Sequence, residues 1–192
     1  MRVVSTLAFI LVLFGTISSA RTEKGAYAAA VIKNGSMMGQ NSIIIGGRAG
    51  WKLCGSFFLG GAFYSLANKI ETKGVDPLSS RKLLAGFNCG GLEVEYFYPS
   101  DSFLHGSFIL FMGGGGLKPK AQDTSIPHSS YYGQSLLIWE PQVNLEANLT
   151  SLLHLGLGVS YRFVTGVNDF IGLHNKDLSS INSLITFRFG IH

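Results

Sequence analysis

The chain is short of charge. Of its 192 residues, 15 are Lys or Arg and 11 are Asp or Glu, so 14% are charged, where a soluble domain carries about 25%. That excludes the densely charged exterior, about 25–35% Lys, Arg, Glu and Asp, that keeps a small domain in water. No Lys/Arg run occurs and the net charge is only +4, so the basic footprint of a nucleic-acid partner is missing. Cysteine is scarce too: Cys54 and Cys89 stand alone, with no CxxC and no Cys/His grouping. No metal site and no cofactor are expected on that basis. Export would allow the two cysteines to oxidise, but they fall out of register on the strand pattern, and the simpler reading is two small apolar side chains. Long hydrophobic runs are also missing. The one continuous apolar stretch, from Val3 to Ile17, is shorter than the roughly 20 residues of a membrane-spanning helix.

That stretch has the layout of a secretory signal peptide. Arg2 supplies the positive start, Leu7 to Phe14 the apolar middle, and Ser18-Ser19-Ala20 the small residues before a cut. The expectation is a leader over 1–20, cleaved after Ala20, followed by one exported domain over 21–192.

What the chain does have is glycine (25 residues), aromatics (12%) and strict alternation. From Leu152 to Phe163 every second residue is large and apolar: Leu153, Leu155, Leu157, Val159, Tyr161, Phe163. Between them lie His154, Gly156, Gly158, Ser160 and Arg162. Strand side chains alternate between faces, so this is a strand with one oily and one small or polar face. It is about as long as the 9–11 tilted residues that cross a bilayer. No helix-period segment follows the leader. Strands are expected over 25–33, 42–52, 55–68, 81–98, 102–115, 131–148, 151–165 and 180–191. Pro141 inside the sixth cannot donate to a ladder, which predicts a bulge or a break there. Short turns near Leu53, Ser100 and Leu149 alternate with longer polar loops at 34–41, 69–80, 117–130 and 166–179. An even strand count, short turns at one end and long loops at the other describe an all-β, antiparallel up-and-down transmembrane barrel of about eight strands.

In such a barrel the oily face looks outward to lipid and the polar face inward. A narrow eight-stranded interior has room for small residues and a few long polar ones. Arg48, Glu93, Glu95, Glu140, Glu146, Arg162 and Arg188 all fall on polar faces. Both signs are present, and confined charges are stable only when paired, so these seven are expected to form an interior network. The third and fifth segments are bulky on both faces and give no direction.

Over roughly Gly90 to the end the chain resembles the small eight-stranded outer-membrane barrels of the OmpA/OmpX type, and similar exported barrels of Gram-negative bacteria. The residues that carry this are Gly113-Gly114-Gly115-Gly116, Ile138-Trp139-Glu140-Pro141, Leu155 to Arg162, Lys176-Asp177-Leu178 and Phe187-Arg188-Phe189-Gly190. The resemblance implies an outer-membrane location and no catalytic residues. The expected partners are outer-membrane lipids, the barrel assembly machinery, and an extracellular ligand or protein at loops 69–80, 117–130 and 166–179. The role expected is structural or surface-interacting, without catalysis. Two other readings compete. His105-Gly106-Ser107 is an H-x-S triplet whose ends share a strand face, the spacing used by outer-membrane lipid A deacylases, so His105 and Ser107 are candidates for a lipid-modifying hydrolase. They lack a third, acidic member on the same strand. A soluble periplasmic, lipocalin-like barrel would instead turn its Leu/Phe face onto an apolar ligand.

Overall fold

The computed structural model describes residues 25–75, 81–98, 103–120, 133–167 and 172–191. The expected leader over 1–20 lies outside these. The elements in chain order are β1 (Ala26–Met37), β2 (Gln40–Cys54), β3 (Phe57–Leu66), β4 (Glu71–Val75), β5 (Lys82–Phe97), β6 (Leu104–Lys120), β7 (Gln134–Asn148), β8 (Leu153–Thr165), a single helical turn α1 (Asn175–Leu178) and β9 (Ser180–Ile191). Every pairing is antiparallel. β1 joins β9, β3 joins β5, and the others pair with their chain neighbours, so eight strands close into an up-and-down barrel. The short β4 stands outside that circuit and pairs only with the start of β5.

The wall is inverted relative to a water-soluble barrel. Along β7 the positions alternate: Leu136, Ile138, Glu140, Gln142, Asn144 and Glu146 are buried, while Leu137, Trp139, Val143 and Leu145 face out. Phe63, Leu157 and Val143 are 58%, 59% and 61% exposed, whereas Arg188 and Glu146 are 0% exposed. Among the described residues the Leu/Phe face therefore turns outward and does not line the lumen, which corrects the lipocalin-like reading. From Leu137 to Ala147, at about 3.3 Å per residue and about 40° tilt, the outward apolar band is about 25 Å tall, the height of an outer-membrane barrel's lipid-facing belt.

Several boundaries differ from the sequence expectation. No loop separates β1 from β2. The strands pair from Ala26 with Trp51 to Met37 with Gln40, and the chain reverses over Met38 and Gly39, with φ of 55° and 75°. Two successive positive-φ residues make the two-residue turn whose twist matches a hairpin, so 34–41 is strand and turn. The expected loop at 69–80 contains β4, and the one at 117–130 begins later because β6 continues to Lys120. Pro141 causes neither a break nor a bulge. It faces outward, opposite Leu110 of β6, and the β7–β8 ladder skips it between Trp139–Phe163 and Gln142–Ser160 without a change of register. Cys54 and Cys89 are not bonded to each other.

Two kinds of interior fill the lumen. The end near the short turns is polar and aromatic. The end near the long connections holds an apolar cluster that includes Met37, Ile44, Phe87, Leu117, Leu136 and Val164, with Ile70, Val167, Leu173 and Leu178 folded in from the connections. Gly46 makes room for part of this filling, since a Cβ there would stand 2.3 Å from Tyr64 Cδ1.

Candidate functional site

Strand alternation places all seven sequence-identified charges inside the wall, each 3% exposed or less. The structure groups them unequally. Arg188 on β9 is the hub of the short-turn end: its Nη2 contacts Glu95 Oε1 and lies 3.5 Å from Glu146 Oε1. Its guanidinium also lies 4.1 Å from the Tyr27 ring centroid and 5.8 Å from that of Phe97. One level away, Arg48 Nη1 is 4.0 Å from Glu93 Oε2, and Arg48 Nη2 donates to Thr186 Oγ1 at 3.3 Å. Tyr64 donates its hydroxyl to Glu93 Oε1 at 2.7 Å.

The other two residues find different partners. Glu140 meets Lys33, whose Nζ donates to Oε1 at 2.8 Å, and Ser160 donates to the same oxygen at 2.6 Å. Lys33 also lies 3.8 Å over the Tyr64 ring. Arg162 binds oxygen atoms that carry no net charge: Nε donates to Leu178 O at 2.9 Å, and Nη2 to Ser36 O and Ser180 Oγ, both at 3.1 Å. Arg162 thus ties α1 and the end of β1 to the wall of β8. Lys33 is the functional residue the sequence reading missed. It is 1% exposed, and the alternation Tyr27, Ala29, Val31, Lys33 points it inward once β1 is allowed to run past it. With Lys33 included, the buried charges are four cations (Lys33, Arg48, Arg162, Arg188) and four carboxylates (Glu93, Glu95, Glu140, Glu146). The interior sum is zero among the described residues. A buried charge without a counter-charge costs several kcal/mol, so this balance is what a closed wall requires.

His105 and Ser107 face the same interior on β6, 3% and 5% exposed. Glu146 on the neighbouring strand supplies the carboxylate that their own strand lacks. Its Oε1 accepts the Ser107 proton at 2.9 Å, and its Oε2 is 3.9 Å from His105 Nε2. Ser107 Oγ also accepts from Asn144 Nδ2 at 3.0 Å. A serine nucleophile passes its proton to a base on attack and needs an approach path for the acyl carbon. Here the hydroxyl hydrogen is held by the carboxylate, and the group faces away from the lipid side. The arrangement is packed inside the lumen and linked from strand to strand by hydrogen bonds. No group of three or more His, Cys, Asp or Glu side chains among the described residues is arranged to hold a metal ion.

At the long-connection end the elements are tied across the mouth. Met38 N donates to Asp177 O at 2.6 Å, Gln40 Nε2 to Glu71 O at 2.8 Å, and Lys73 Nζ lies 3.7 Å from Asp177 Oδ2. The β1–β2 turn, β4 and α1 therefore form one connected cap over the apolar cluster.

No protein-family model matches the chain, and no curated protein matches it in sequence. Solved structures do match in fold. Neisserial surface protein A (NspA) superimposes with a TM-score of 0.59 at 12% identity, over 88% of this chain and 97% of that one. The N-terminal β-barrel domain of Pseudomonas aeruginosa OprF gives 0.53 at 11%, over 86% and 97%. Ail, the attachment invasion locus protein of Yersinia pestis, gives 0.52 at 10% in its complex with the heparin analogue sucrose octasulfate, over 88% and 100%. The fold is that of the small eight-stranded outer-membrane barrels, of the OmpA/OmpX type.

Proposed function

We propose that the chain is a non-enzymatic barrel of a Gram-negative outer membrane, with a structural or surface-interaction role exercised through the connections at 69–80, 117–130 and 166–179. One observation carries this reading: the wall is apolar outside and charge-balanced inside, with its long connections gathered at one end. Such an exterior suits hydrocarbon, and a lumen filled with side chains offers no wet channel, for which about 16 strands are needed. What remains for contact with other molecules is the capped end. Ail, of similar fold, holds a sulfated sugar analogue, which supports a binding role for a barrel of this size. Outer-membrane lipids and the barrel assembly machinery are the partners this reading entails.

The test is fractionation followed by a denaturing gel with and without boiling. The expected result is recovery in the outer membrane and a mobility shift on heating, because a closed barrel resists detergent until it is heated. A soluble periplasmic protein without a shift would sink the proposal. Trimming all three connections, 69–80, 117–130 and 166–179, should then abolish surface binding while preserving the shift.

A further inference from the structure

At the capped end three strands run on past their neighbours. β3 leaves β5 at the Ser65–Asn88 pair, and β6 pairs with β7 as far as Leu117. β5 and β6 stay paired to Leu84–Lys120, and β4 joins β5 from Glu71–Leu84 to Val75–Lys82. β4, β5 and β6 thus form a three-stranded flap. Lys118 stands six residues beyond Met112, the last large apolar side chain on the outward face of β6. That is about 15 Å further along the barrel axis at the usual rise and tilt. The flap therefore stands clear of hydrocarbon, in water.

The flap is basic. Its described residues, with the turn that leads into β4, hold Lys69, Lys73, Arg81, Lys82, Lys118 and Lys120, all exposed, against one carboxylate, Glu71. The sequence adds Asp76 and Asp123 beside them, so six cations against three carboxylates leave an excess of three in a chain whose whole excess is +4. The six come from three segments, which is why no Lys/Arg run marks them. Lys82 lies 3.3 Å from Glu71, and Lys73 lies 3.7 Å from Asp177 of α1. Lys69, Lys118 and Lys120 have no carboxylate within ion-pair distance among the described residues. The last two diverge. Lys120 lies over Gly86, where a Cβ would stand 2.9 Å from its Cε, and Lys118 leans toward β7, where a Cβ on Gly133 would stand 2.8 Å from its Cγ. The charges cover a face and do not converge on a point. No aromatic residue occurs in 69–75, 81–86 or 117–120. The stacking platform for single-stranded nucleic acid is therefore missing, and so is the aromatic anchor of a protein interface. Five of the six cations are lysines, point charges without the fork that grips one phosphate bidentately. Such a surface complements a flexible chain with anions spaced along it.

We propose that this flap is a docking face for acidic polysaccharide, with Lys69, Lys118 and Lys120 meeting its sulfate or carboxylate groups. The proposal names a partner for the capped end and rests on the surface-interaction reading above. The experiment uses the full mature chain refolded in detergent, its heat-shifted mobility checked first. It is titrated, by fluorescence anisotropy, with labelled dextran sulfate, polygalacturonate, neutral dextran and a single-stranded oligonucleotide of matched charge. At least one acidic glycan should bind in preference to the other two probes. Raising the salt should weaken that binding, because exposed charges are screened. The K69Q/K118Q/K120Q variant should lose affinity on the order of tenfold, the product of three exposed ion pairs, with its heat shift intact. The control K52Q/K176Q, which removes two cations off the flap, should bind as the parent does. No binding by either acidic glycan, equal binding by parent and triple variant, binding indifferent to salt, or an oligonucleotide bound as tightly as the glycan overturns the polysaccharide face while leaving the barrel reading standing. Absence of the heat shift in the parent overturns both.

Discussion

The two ends of the lumen solve the same packing problem with opposite chemistry. Near the short turns, space is filled by Arg188, Glu95, Glu146, Arg48 and Glu93 among the rings of Tyr27, Phe58 and Phe97. Near the cap it is filled by Phe87, Leu117, Leu136 and residues delivered by the connections, with Arg162 set among them on uncharged oxygen acceptors. The difference lies in tolerance. An apolar filling accepts small shifts of shape, because dispersion and burial are not directional. A charge network does not, since each member depends on a partner on another strand. Glu95, Glu146 and Arg188 come from β5, β7 and β9, so a one-residue slip in any of them would turn its charge out to the lipid side. The polar end therefore fixes register, and the apolar end seals.

The largest expected effect tests the polar end. Arg188→Ala leaves Glu95 and Glu146 buried without their shared cation and should cost about 3–5 kcal/mol, measured by urea unfolding of the refolded barrel. An effect no larger than an average surface substitution would mean that the network does not hold the fold. Leu117→Ala at the apolar end should cost about 2–3 kcal/mol in the same assay, with the mobility shift retained. Arg162→Ala addresses the link between cap and wall. It should cost about 1–3 kcal/mol and speed proteolysis around 172–179, with cleavage elsewhere unchanged. Uniformly faster cleavage would make Arg162 part of the global fold instead. Ser107→Ala removes one hydrogen bond to Glu146 and one from Asn144. It should lower stability by only about 1 kcal/mol and leave the lipid A profile of the expressing cells as it was. A changed acylation pattern would revive the hydrolase reading.

This contrast also explains which parts of the molecule were legible in the sequence. β7, β8 and β9 run largely along the polar lumen, so hydrophobicity alternates with every residue and faces could be assigned by inspection. β3 and β6 carry Phe58, Tyr64, Ile109, Phe111 and Leu117 inward and Phe57, Phe63, Phe108 and Leu110 on the other face. Alternation is invisible there because the lumen itself is partly apolar. Lys33 was lost to a boundary: Asn34-Gly35 reads as a turn, yet those residues continue β1 and pair with Ile43 and Ser42. The true reversal, at Met38-Gly39, carries a weaker turn signature. Arg162 lies on the inward face of β8, but its partners are two backbone carbonyls and a serine hydroxyl, and nothing in a sequence marks a carbonyl as a receptor for a buried cation. Glu146 as the neighbour of Ser107 comes from cross-strand register, which no local motif encodes.

The seam between β1 and β9 carries a kinetic consequence. It pairs residues 26–34 with 183–191, so the two strands that complete the circle are the first and the last of the described chain. Every other junction of the circuit joins strands consecutive in the chain or, for β3 and β5, separated only by the short β4. Each of those has a much shorter loop to close. Closure of the final seam carries the largest loop entropy and comes late. Until it does, the growing sheet has two free edges, each a row of unpaired donors and acceptors ready to template on another chain. In the finished barrel the eight-strand circuit has no edge to protect, and only the short β4 keeps one. The hazard is concentrated in the interval before the last strand arrives.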